Sequence, residues 1–160
     1  MKNTTLLFLI KQKENTITDI CLAMKKRGFG VGRYNGAGGK VESDETVVEA
    51  VMRETFEEIL VVPESMNKIA EIKFIFPHRH DWDQLCHVYF CTQWKGVPTE
   101  SEEMKPQWFP VDSIPYDIMW PDDILWLPKA LDHNLLKAQF TFGEQNNMLS
   151  DSIVIIDSFE

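Results

Sequence analysis

The stretch of residues 45–60 constrains the fold more than any other part of the chain, because it contains neither glycine nor proline. A helix is predicted there, with Ser43 or Asp44 as its N-cap and an end before Pro63. Strands are predicted at residues 6–10, 19–24, 68–76, 85–92, 104–109, 138–142 and 153–156, and a second helix at residues 121–132 with Pro121 near its first turn. Strands mixed with two helices indicate an α/β layered class.

The predicted first helix carries several acidic residues on one face. Glu54, Glu57 and Glu58 stand at i, i+3 and i+4, and residues at this spacing are neighbours on a helix surface. Two interpretations remain open: a solvated helix face, or a site for a divalent cation that binds hard oxygen ligands. The adjacent Arg53 either orients one of the carboxylates or binds a phosphate through its planar fork.

Charge and composition limit the partners of the chain. The 16 Lys and Arg residues against 25 Asp and Glu residues give a net charge of −9 at pH 7. We expect no nucleic acid polymer as a partner, because binding one requires a basic face. A small phosphorylated ligand remains compatible, since a divalent metal offsets the excess of carboxylates. With 160 residues, 44% of them hydrophobic, the chain is expected to form one domain over residues 1–160.

The cysteines and the apolar runs indicate the compartment. Cys21, Cys86 and Cys91 lie in apolar, strand-like segments and form no C-x-x-C pair, so they are predicted to be reduced core thiols. The apolar run of residues 6–10 is too short for a signal-peptide core or a membrane span. We therefore expect a cytoplasmic protein that is soluble and does not insert into a membrane.

The charged residues of the first helix belong to a longer pattern. Gly39 is followed by five residues, Glu45, seven residues and then the run R-E-T-F-E-E at residues 53–58. This pattern resembles the signature of the Nudix hydrolases, G-x5-E-x7-R-E-U-x-E-E-x-G-U, where U is a bulky aliphatic residue. The leading glycine and every charged position match. Two positions differ from the signature. Thr55 replaces the first aliphatic residue, which is a mild change. Leu60 replaces the second glycine, and this replacement affects the geometry at the end of the helix but not the metal ligands.

The resemblance implies a fold and a chemistry. The fold is an α/β/α sandwich with a mixed central sheet, and the reaction is Mg²⁺-dependent hydrolysis of a nucleoside diphosphate linked to another group, with Mn²⁺ as an alternative metal. The implied metal ligands are Gly39, Glu54, Glu57, Glu58 and Glu103, and the implied catalytic residues are Arg53, Glu54, Glu57, Glu58 and Glu103. Glycine at positions 38 and 39 lets the backbone approach a phosphate closely.

Segments outside the signature resemble the MutT-type branch of the family, which hydrolyses oxidised purine nucleoside triphosphates. These segments are residues 24–30, 35–36, 99–104, 108–109 and 120–123. The resemblance implies hydrolysis of 8-oxo-dGTP and 2-hydroxy-dATP to the monophosphate and pyrophosphate. It also implies a set of substrate-binding residues: Thr5, Lys25, Phe29, Asn35, Gly38, Gly39, Trp120, Asp122 and Asp123.

Each residue of the implied base pocket also has a plainer interpretation. Trp120 alone is typical of a core, Phe29 of a plug in a hydrophobic gap, and Asn35 before a glycine of a turn. Asp122 and Asp123 at a helix start are favoured by the helix dipole. The combination of an aromatic face, an amide and two adjacent carboxyls nevertheless fits the edge of an oxidised purine, which presents both donors and acceptors.

Residues 77–83, P-H-R-H-D-W-D, match the resembled branch less well and form a slightly longer segment. Its histidines and arginine are either solvated loop residues or contacts to a metal or phosphate, and the segment can change substrate preference if it folds over the pocket. Two functional alternatives stay open: a Nudix hydrolase of dinucleoside polyphosphates or nucleotide sugars, and a non-catalytic nucleotide-binding domain. We expect a monomer that acts on a small-molecule nucleotide.

Overall fold

The computed structural model describes all residues from Met1 to Glu160, in eight strands and two α-helices. The strands are β1 (Lys2–Lys13), β2 (Thr16–Lys25), β3 (Tyr34–Asn35), β4 (Val62–Ile75), β5 (Gln84–Lys95), β6 (Met104–Pro110), β7 (Leu135–Phe142) and β8 (Met148–Ile156). The helices are α1 (Val47–Ile59) and α2 (Asp123–Leu131), and single 3₁₀ turns lie at His80–Trp82, Val111–Ser113 and Tyr116–Ile118.

The strands form one mixed sheet in the order β3-β2-β1-β5-β4-β7-β8, and β6 pairs with the free edge of β2. Strand β1 runs parallel to β5, and β4 runs parallel to β7, while the remaining pairs are antiparallel. The parallel register sets Thr4 beside Cys86, and Thr5 beside His87. This register brings the start of β1 and the start of β5 to one cleft.

The two helices cover opposite faces of the sheet. Along β1, Leu7 and Leu9 pack in the cluster that contains Val51 of α1, whereas Phe8 packs in the cluster that contains Trp126 of α2. This alternation is what a strand between two layers requires. The predicted α/β/α sandwich with a mixed sheet is confirmed, and neither helix has the length and apolar composition needed to cross a membrane.

Helix α1 begins later than predicted. Its N-cap is Thr46, whose hydroxyl accepts from the backbone N–H of Glu49, while the Glu49 carboxylate accepts from the backbone N–H of Thr46. This reciprocal capping box satisfies two backbone donors at once, which neither Ser43 nor Asp44 does. The prediction of the N-cap was therefore wrong, although the helix itself is present.

Leu60, which stands where the family signature has a glycine, ends helix α1 in the left-handed conformation with φ 62°. Its backbone N–H donates to the carbonyl of Phe56. The helix exit thus keeps the conformation that glycine favours, and leucine adopts it in spite of its β-carbon. The substitution costs conformational energy and leaves the path of the chain intact.

Other differences concern the ends of elements. The strands are longer than predicted, since pairing continues past the apolar runs; β8, for example, begins at Met148 and pairs with β7 along its length. The segment Tyr34–Asn35, predicted as loop, forms the short strand β3 against Ala23 and Met24. Pro121 precedes α2 and lies outside its first turn, whereas Pro128 lies inside the helix.

Candidate active site

A cleft of about 310 Å³ opens beside the first half of β1. Glu58 reaches it from α1, and Asp122 and Asp123 reach it from the start of α2, so the helices contribute side chains from opposite faces of the sheet. The predicted site residues that line it are Thr5, Lys25, Phe29, Asn35, Gly38, Gly39, Glu58, Trp120, Asp122 and Asp123. The others, Arg53, Glu54, Glu57 and Glu103, do not line it.

Gly38 and Gly39 connect the cleft to both β1 and α1. The backbone N–H of Thr5 donates to the Gly39 carbonyl at 2.8 Å. A β-carbon on Gly38 would lie 1.8 Å from the Thr5 carbonyl oxygen, and one on Gly39 would lie 2.6 Å from the Glu54 carboxylate. Only glycine allows this approach, which places the backbone N–H of Gly38 2.7 Å from Oε1 of Glu58.

Glu58 is the buried carboxylate of the acidic face. Burial raises its pKa to about 7, in spite of the Gly38 hydrogen bond and the nearby Lys25 ammonium, which both favour the ionised form. The Lys25 ammonium lies 3.7 Å from Glu58 and 3.5 Å from Glu103. Arg27 holds Glu103 at 2.5 Å, and this hydrogen bond lowers the Glu103 pKa. A protein cation therefore stands between Glu58 and the carboxylate predicted to supplement the helix.

Arg53 binds carboxylates rather than facing the cleft. Its guanidinium donates to Glu45 at 2.6 and 3.0 Å, to Glu54 at 2.8 Å and to Glu57 at 3.4 Å. A further N–H donates to the Lys40 carbonyl at 3.1 Å. The hydrogen bonds to Glu45 and Glu54 raise the Arg53 pKa above its usual value. The hydrogen bonds from Arg53 also lower the Glu45 pKa to about 2. Of the two interpretations of Arg53, orientation of carboxylates agrees with these contacts.

The implied metal ligands are brought together only in pairs. No group of three acidic, histidine or cysteine side chains is close enough to share an ion. Glu54 and Glu57 are held by Arg53, while Glu58 and Glu103 flank Lys25. The donor chemistry nevertheless fits Mg²⁺, which takes hard oxygen ligands, and the Lys25 ammonium marks a position between Glu58 and Glu103 where positive charge is favoured.

Asp122 and Asp123 are buried, with 2% and 3% of their surfaces exposed. Asp122 Oδ2 accepts from the Trp126 indole N–H at 2.8 Å, whereas Asp122 Oδ1 and Asp123 Oδ2 have no partner. Burial raises the Asp122 pKa to about 6, and burial together with the Asp122 charge raises the Asp123 pKa well above its usual value. Asp122 is the N-cap residue of α2 and Asp123 lies in its first turn, as the helix-start interpretation expects, but the Asp122 side chain makes no capping hydrogen bond.

Trp120, Phe29 and Asn35 complete the α2 side of the cleft. The Phe29 ring is stacked on Trp120 with centroids 5.1 Å apart, and the Arg33 guanidinium lies 4.5 Å from the Trp120 ring centroid. Asn35 does make the expected turn contact, since its Oδ1 accepts from the Gly36 N–H at 2.9 Å. Its amide N–H₂ has no partner and lines the cleft, so the turn and the binding interpretations of Asn35 are compatible.

The charged residues of segment 77–83 pair locally. Arg79 binds Asp81 at 2.9 Å, and His80 Nδ1 lies 2.9 Å from Asp83. This agrees with solvated loop residues and not with a metal or phosphate site. Trp82 differs, because its ring lies 5.3 Å from the ring of Phe29 at the rim of the cleft.

Several lining residues escaped the sequence analysis. Thr4 donates its hydroxyl hydrogen to Gln84 Oε1 at 2.8 Å, and Cys86 lies beside Thr4 in the β1–β5 register. Cys86 lies in a segment predicted as a strand, whereas Thr4 and Gln84 lie just outside the predicted strands, and only the register shows which side chains meet at the cleft. The unpredicted lining residues are Lys2, Thr4, Leu6, Gly30, Arg33, Gly36, Lys40, Phe74, Phe76, Gln84, Cys86, Met104, Trp126 and Phe142.

Comparisons with known proteins concern the family and the fold. The family model described as "NUDIX domain" matches residues 2–130. The chain is 41% identical over 140 residues to the oxidized purine nucleoside triphosphate hydrolase of Mus musculus, covering 88% of this chain and 89% of the relative. It is 43% identical over 123 residues to the protein of the same name from Danio rerio, covering 77% and 78%.

Among solved structures, the mutator MutT protein from Bacillus halodurans is similar with a TM-score of 0.80. The alignment covers 96% of this chain and 97% of that protein, at 20% sequence identity. At this identity the similarity establishes the fold alone.

Proposed function

The chain belongs to the Nudix family, and we propose that it is a Mg²⁺-dependent pyrophosphohydrolase that converts oxidised purine nucleoside triphosphates, such as 8-oxo-dGTP and 2-hydroxy-dATP, to monophosphate and pyrophosphate. The observation that carries the proposal is the buried pair Asp122 and Asp123, each with one unpartnered oxygen, in the same cleft that Glu58 reaches. The names of the mouse and zebrafish relatives support it. The activity would remove oxidised precursors from the nucleotide pool.

The aspartate pair supplies both kinds of hydrogen-bonding group. Two buried carboxyls this close do not ionise together readily, because burial and like charge both raise the pKa of a carboxylate. A protonated carboxyl donates to a purine oxygen or ring nitrogen, and an ionised one accepts from a purine N–H. Moving one proton between Asp122 and Asp123 lets a single pocket accept an oxidised guanine and an oxidised adenine. The Asn35 amide N–H₂ adds two donors, and Trp120 adds an aromatic surface.

The phosphates would lie toward the α1 side, where Gly38 and Gly39 line the cleft and Lys25 contributes positive charge. The residues that would hold Mg²⁺ are Glu54, Glu57, Glu58, Glu103 and the Gly39 carbonyl. Bound Mg²⁺ would neutralise charge on phosphate oxygens as the phosphoanhydride bond breaks.

In this arrangement Arg53 orients Glu54 and Glu57 through the hydrogen bonds described above. One of the glutamates, or Glu103, accepts a proton from the attacking water. The Lys25 ammonium, placed between Glu58 and Glu103, is positioned to offset the charge of these acids and of an incoming phosphate.

The substrate in this proposal is a small-molecule nucleotide, and the monomeric state stays a prediction. The three cysteines are buried and unpaired, which supports a reducing compartment such as the cytoplasm.

The test is a Mg²⁺-dependent turnover screen over oxidised and ordinary purine triphosphates, dinucleoside polyphosphates and nucleotide sugars. We expect the highest kcat/KM for the oxidised purines. A higher kcat/KM for dinucleoside polyphosphates or sugar nucleotides would replace the proposed substrate class, and absence of turnover on all of them would favour a binding domain.

Variants of the pocket sharpen this test. Asp123→Asn fixes one position in a neutral state, so the ratio of kcat/KM between 8-oxo-dGTP and 2-hydroxy-dATP should shift about tenfold, the size of one buried hydrogen bond to a charged group. Asp122→Asn should shift this ratio by a different amount, and Trp120→Ala should lower kcat/KM for both substrates together. The exposed Asp117→Asn is the matched control and should change neither value. If the three pocket variants leave the preference for oxidised purines untouched, the base-pocket assignment is wrong.

A further inference from the structure

Phe29 occupies an unusual position for a large apolar side chain, since 54% of its surface is exposed although it lines the cleft. It has aromatic neighbours on two different segments. Trp120, just before α2, lies at 5.1 Å, and Trp82 and Phe76, between β4 and β5, lie at 5.3 and 6.4 Å. Phe29 thus bridges two segments that rim the cleft.

The loop that carries Phe29 does not fix it in place by itself. Gly28, Gly30 and Gly32 all have positive φ angles, of 80°, 85° and 83°; backbone hydrogen bonds between Lys25 and residues 32 and 33 close the base of the loop, and only turn hydrogen bonds span its tip. Glycine at such positions leaves the backbone a wide range of conformations. The position of the Phe29 ring therefore depends on what the ring packs against.

Trp82, in contrast, is held on several sides. Its ring lies 5.7 Å from Phe76 in an edge-to-face contact, and the Arg79 guanidinium lies 4.6 Å from its centroid. The turn beneath it is closed by Asp83, whose carboxylate accepts from the Phe76 backbone N–H at 2.7 Å and contacts His80 at 2.9 Å. Trp82 does not itself line the cleft, so any effect it has on a substrate passes through the lining residues it packs against, the rigidly packed Phe76 and the exposed Phe29.

We propose that Trp82 is a positioning residue that holds Phe29 against Trp120 and thereby sets the size of the base that the cleft accepts. This inference rests on the proposed function. With Trp82 in place, the Phe29 ring closes over the base and favours a flat purine without bulky substituents. Without Trp82, the glycine-rich loop releases Phe29, the grip on a flat purine weakens and a larger base gains access.

The experiment measures kcat and KM for 8-oxo-dGTP and for N6-benzyl-dATP, a purine with a bulky substituent, and the affinity for 8-oxo-dGMP by calorimetry. For Trp82→Ala we expect KM for 8-oxo-dGTP to rise about three- to tenfold, the range of one aromatic pair, with kcat within about twofold. The kcat/KM for N6-benzyl-dATP relative to 8-oxo-dGTP should rise at least as much. Trp82→Phe keeps an aromatic ring and should restore most of the wild-type KM.

A double-mutant cycle with Phe29→Ala separates positioning from a general structural effect. If Trp82 acts through Phe29, Trp82→Ala should change neither KM nor the substrate ratio in the Phe29→Ala background. Additive effects, or an equal loss of kcat for both substrates, would overturn the inference.

Trp94→Ala is the matched control, because Trp94 stacks on Trp108 at 5.8 Å in the cluster beside α1, and it should leave the substrate ratio unchanged. If the wild-type protein binds 8-oxo-dGMP and hydrolyses 8-oxo-dGTP, but Trp82→Ala leaves the substrate ratio unchanged, this inference alone is overturned. A wild-type protein that does neither overturns the proposed function, and this inference with it.

Discussion

Replacing Glu58 by glutamine should stabilise the protein without metal and at the same time inactivate it. Glu58 is buried, with 6% of its side chain exposed, and burial raises its pKa from 4.5 to about 7. Glutamine keeps the shape of the side chain and retains an oxygen to accept from the Gly38 N–H. It removes the negative charge, and with it both the cost of holding that charge in a buried site and the attraction to Lys25.

The size of the effect follows from the two pKa values. At about 1.4 kcal/mol per pH unit, the difference between 4.5 and about 7 corresponds to roughly 3 kcal/mol of destabilisation when the carboxyl is fully ionised. This pKa already includes the attraction to Lys25, 3.7 Å away, so the expected gain stays at roughly 3 kcal/mol. For a chain of 160 residues this is a rise of about 6–12 °C in Tm.

The sign with respect to pH is fixed by the direction of the pKa change. Because the folded pKa lies above the unfolded one, the folded state binds more protons between these values, and Glu58 lowers the stability as pH rises from about 4.5 to 7. The Tm of Glu58→Gln should therefore equal the Tm of the wild type at pH 4 and exceed it at pH 8. Asp122 and Asp123 titrate in both proteins, so their contribution cancels in the difference.

The assay is thermal melting in EDTA at both pH values, together with turnover at saturating Mg²⁺. Glu57→Gln is the control, because 56% of the Glu57 side chain is exposed and its replacement relieves no burial. Both variants should lose about two orders of magnitude in kcat, yet only Glu58→Gln should gain stability. Equal Tm values for Glu58→Gln and the wild type at pH 8 would refute the reasoning about burial, and wild-type kcat in both would refute the catalytic role of this helix.

Three further predictions concern other parts of the chain. Thr55 is fully buried with an unpartnered hydroxyl, so Thr55→Val should raise the free energy of unfolding by about 1–2 kcal/mol in urea melts, whereas Thr55→Ser, which keeps the hydroxyl, should not. Leu60→Gly should raise the free energy of unfolding by about 1 kcal/mol, because glycine adopts the left-handed conformation at φ 62° without strain. An equal rise for Leu60→Ala would contradict this cause. Hydrolysis in ¹⁸O-water should place the label in pyrophosphate by mass spectrometry, as expected for attack at the β-phosphorus of a triphosphate; label in the monophosphate would require a different substrate alignment.

The spacing of residues along the chain was sufficient to predict helix α1 and the pattern of glycine, arginine and glutamates in and before it. Helical periodicity alone places Glu54, Glu57 and Glu58 on neighbouring positions of one surface. Even here the sequence did not identify Thr46 as the N-cap, because several residues before the helix are able to cap and only the backbone geometry selects one. The resemblance to the family then supplied the fold and part of the set of residues that line the cleft.

What the sequence by itself determined is thus the α/β class, the first helix and the presence of the site residues, since these depend on composition and on spacing along the chain. The tertiary structure alone decided their environments. It buries Asp122 and Asp123 with one unpartnered oxygen each, divides the acids between Arg53 and Lys25, and brings Trp82 onto Phe29. Burial and pairing of this kind depend on the register of strands distant in sequence, and desolvation, which has no signature in local periodicity, sets the charge that each group carries.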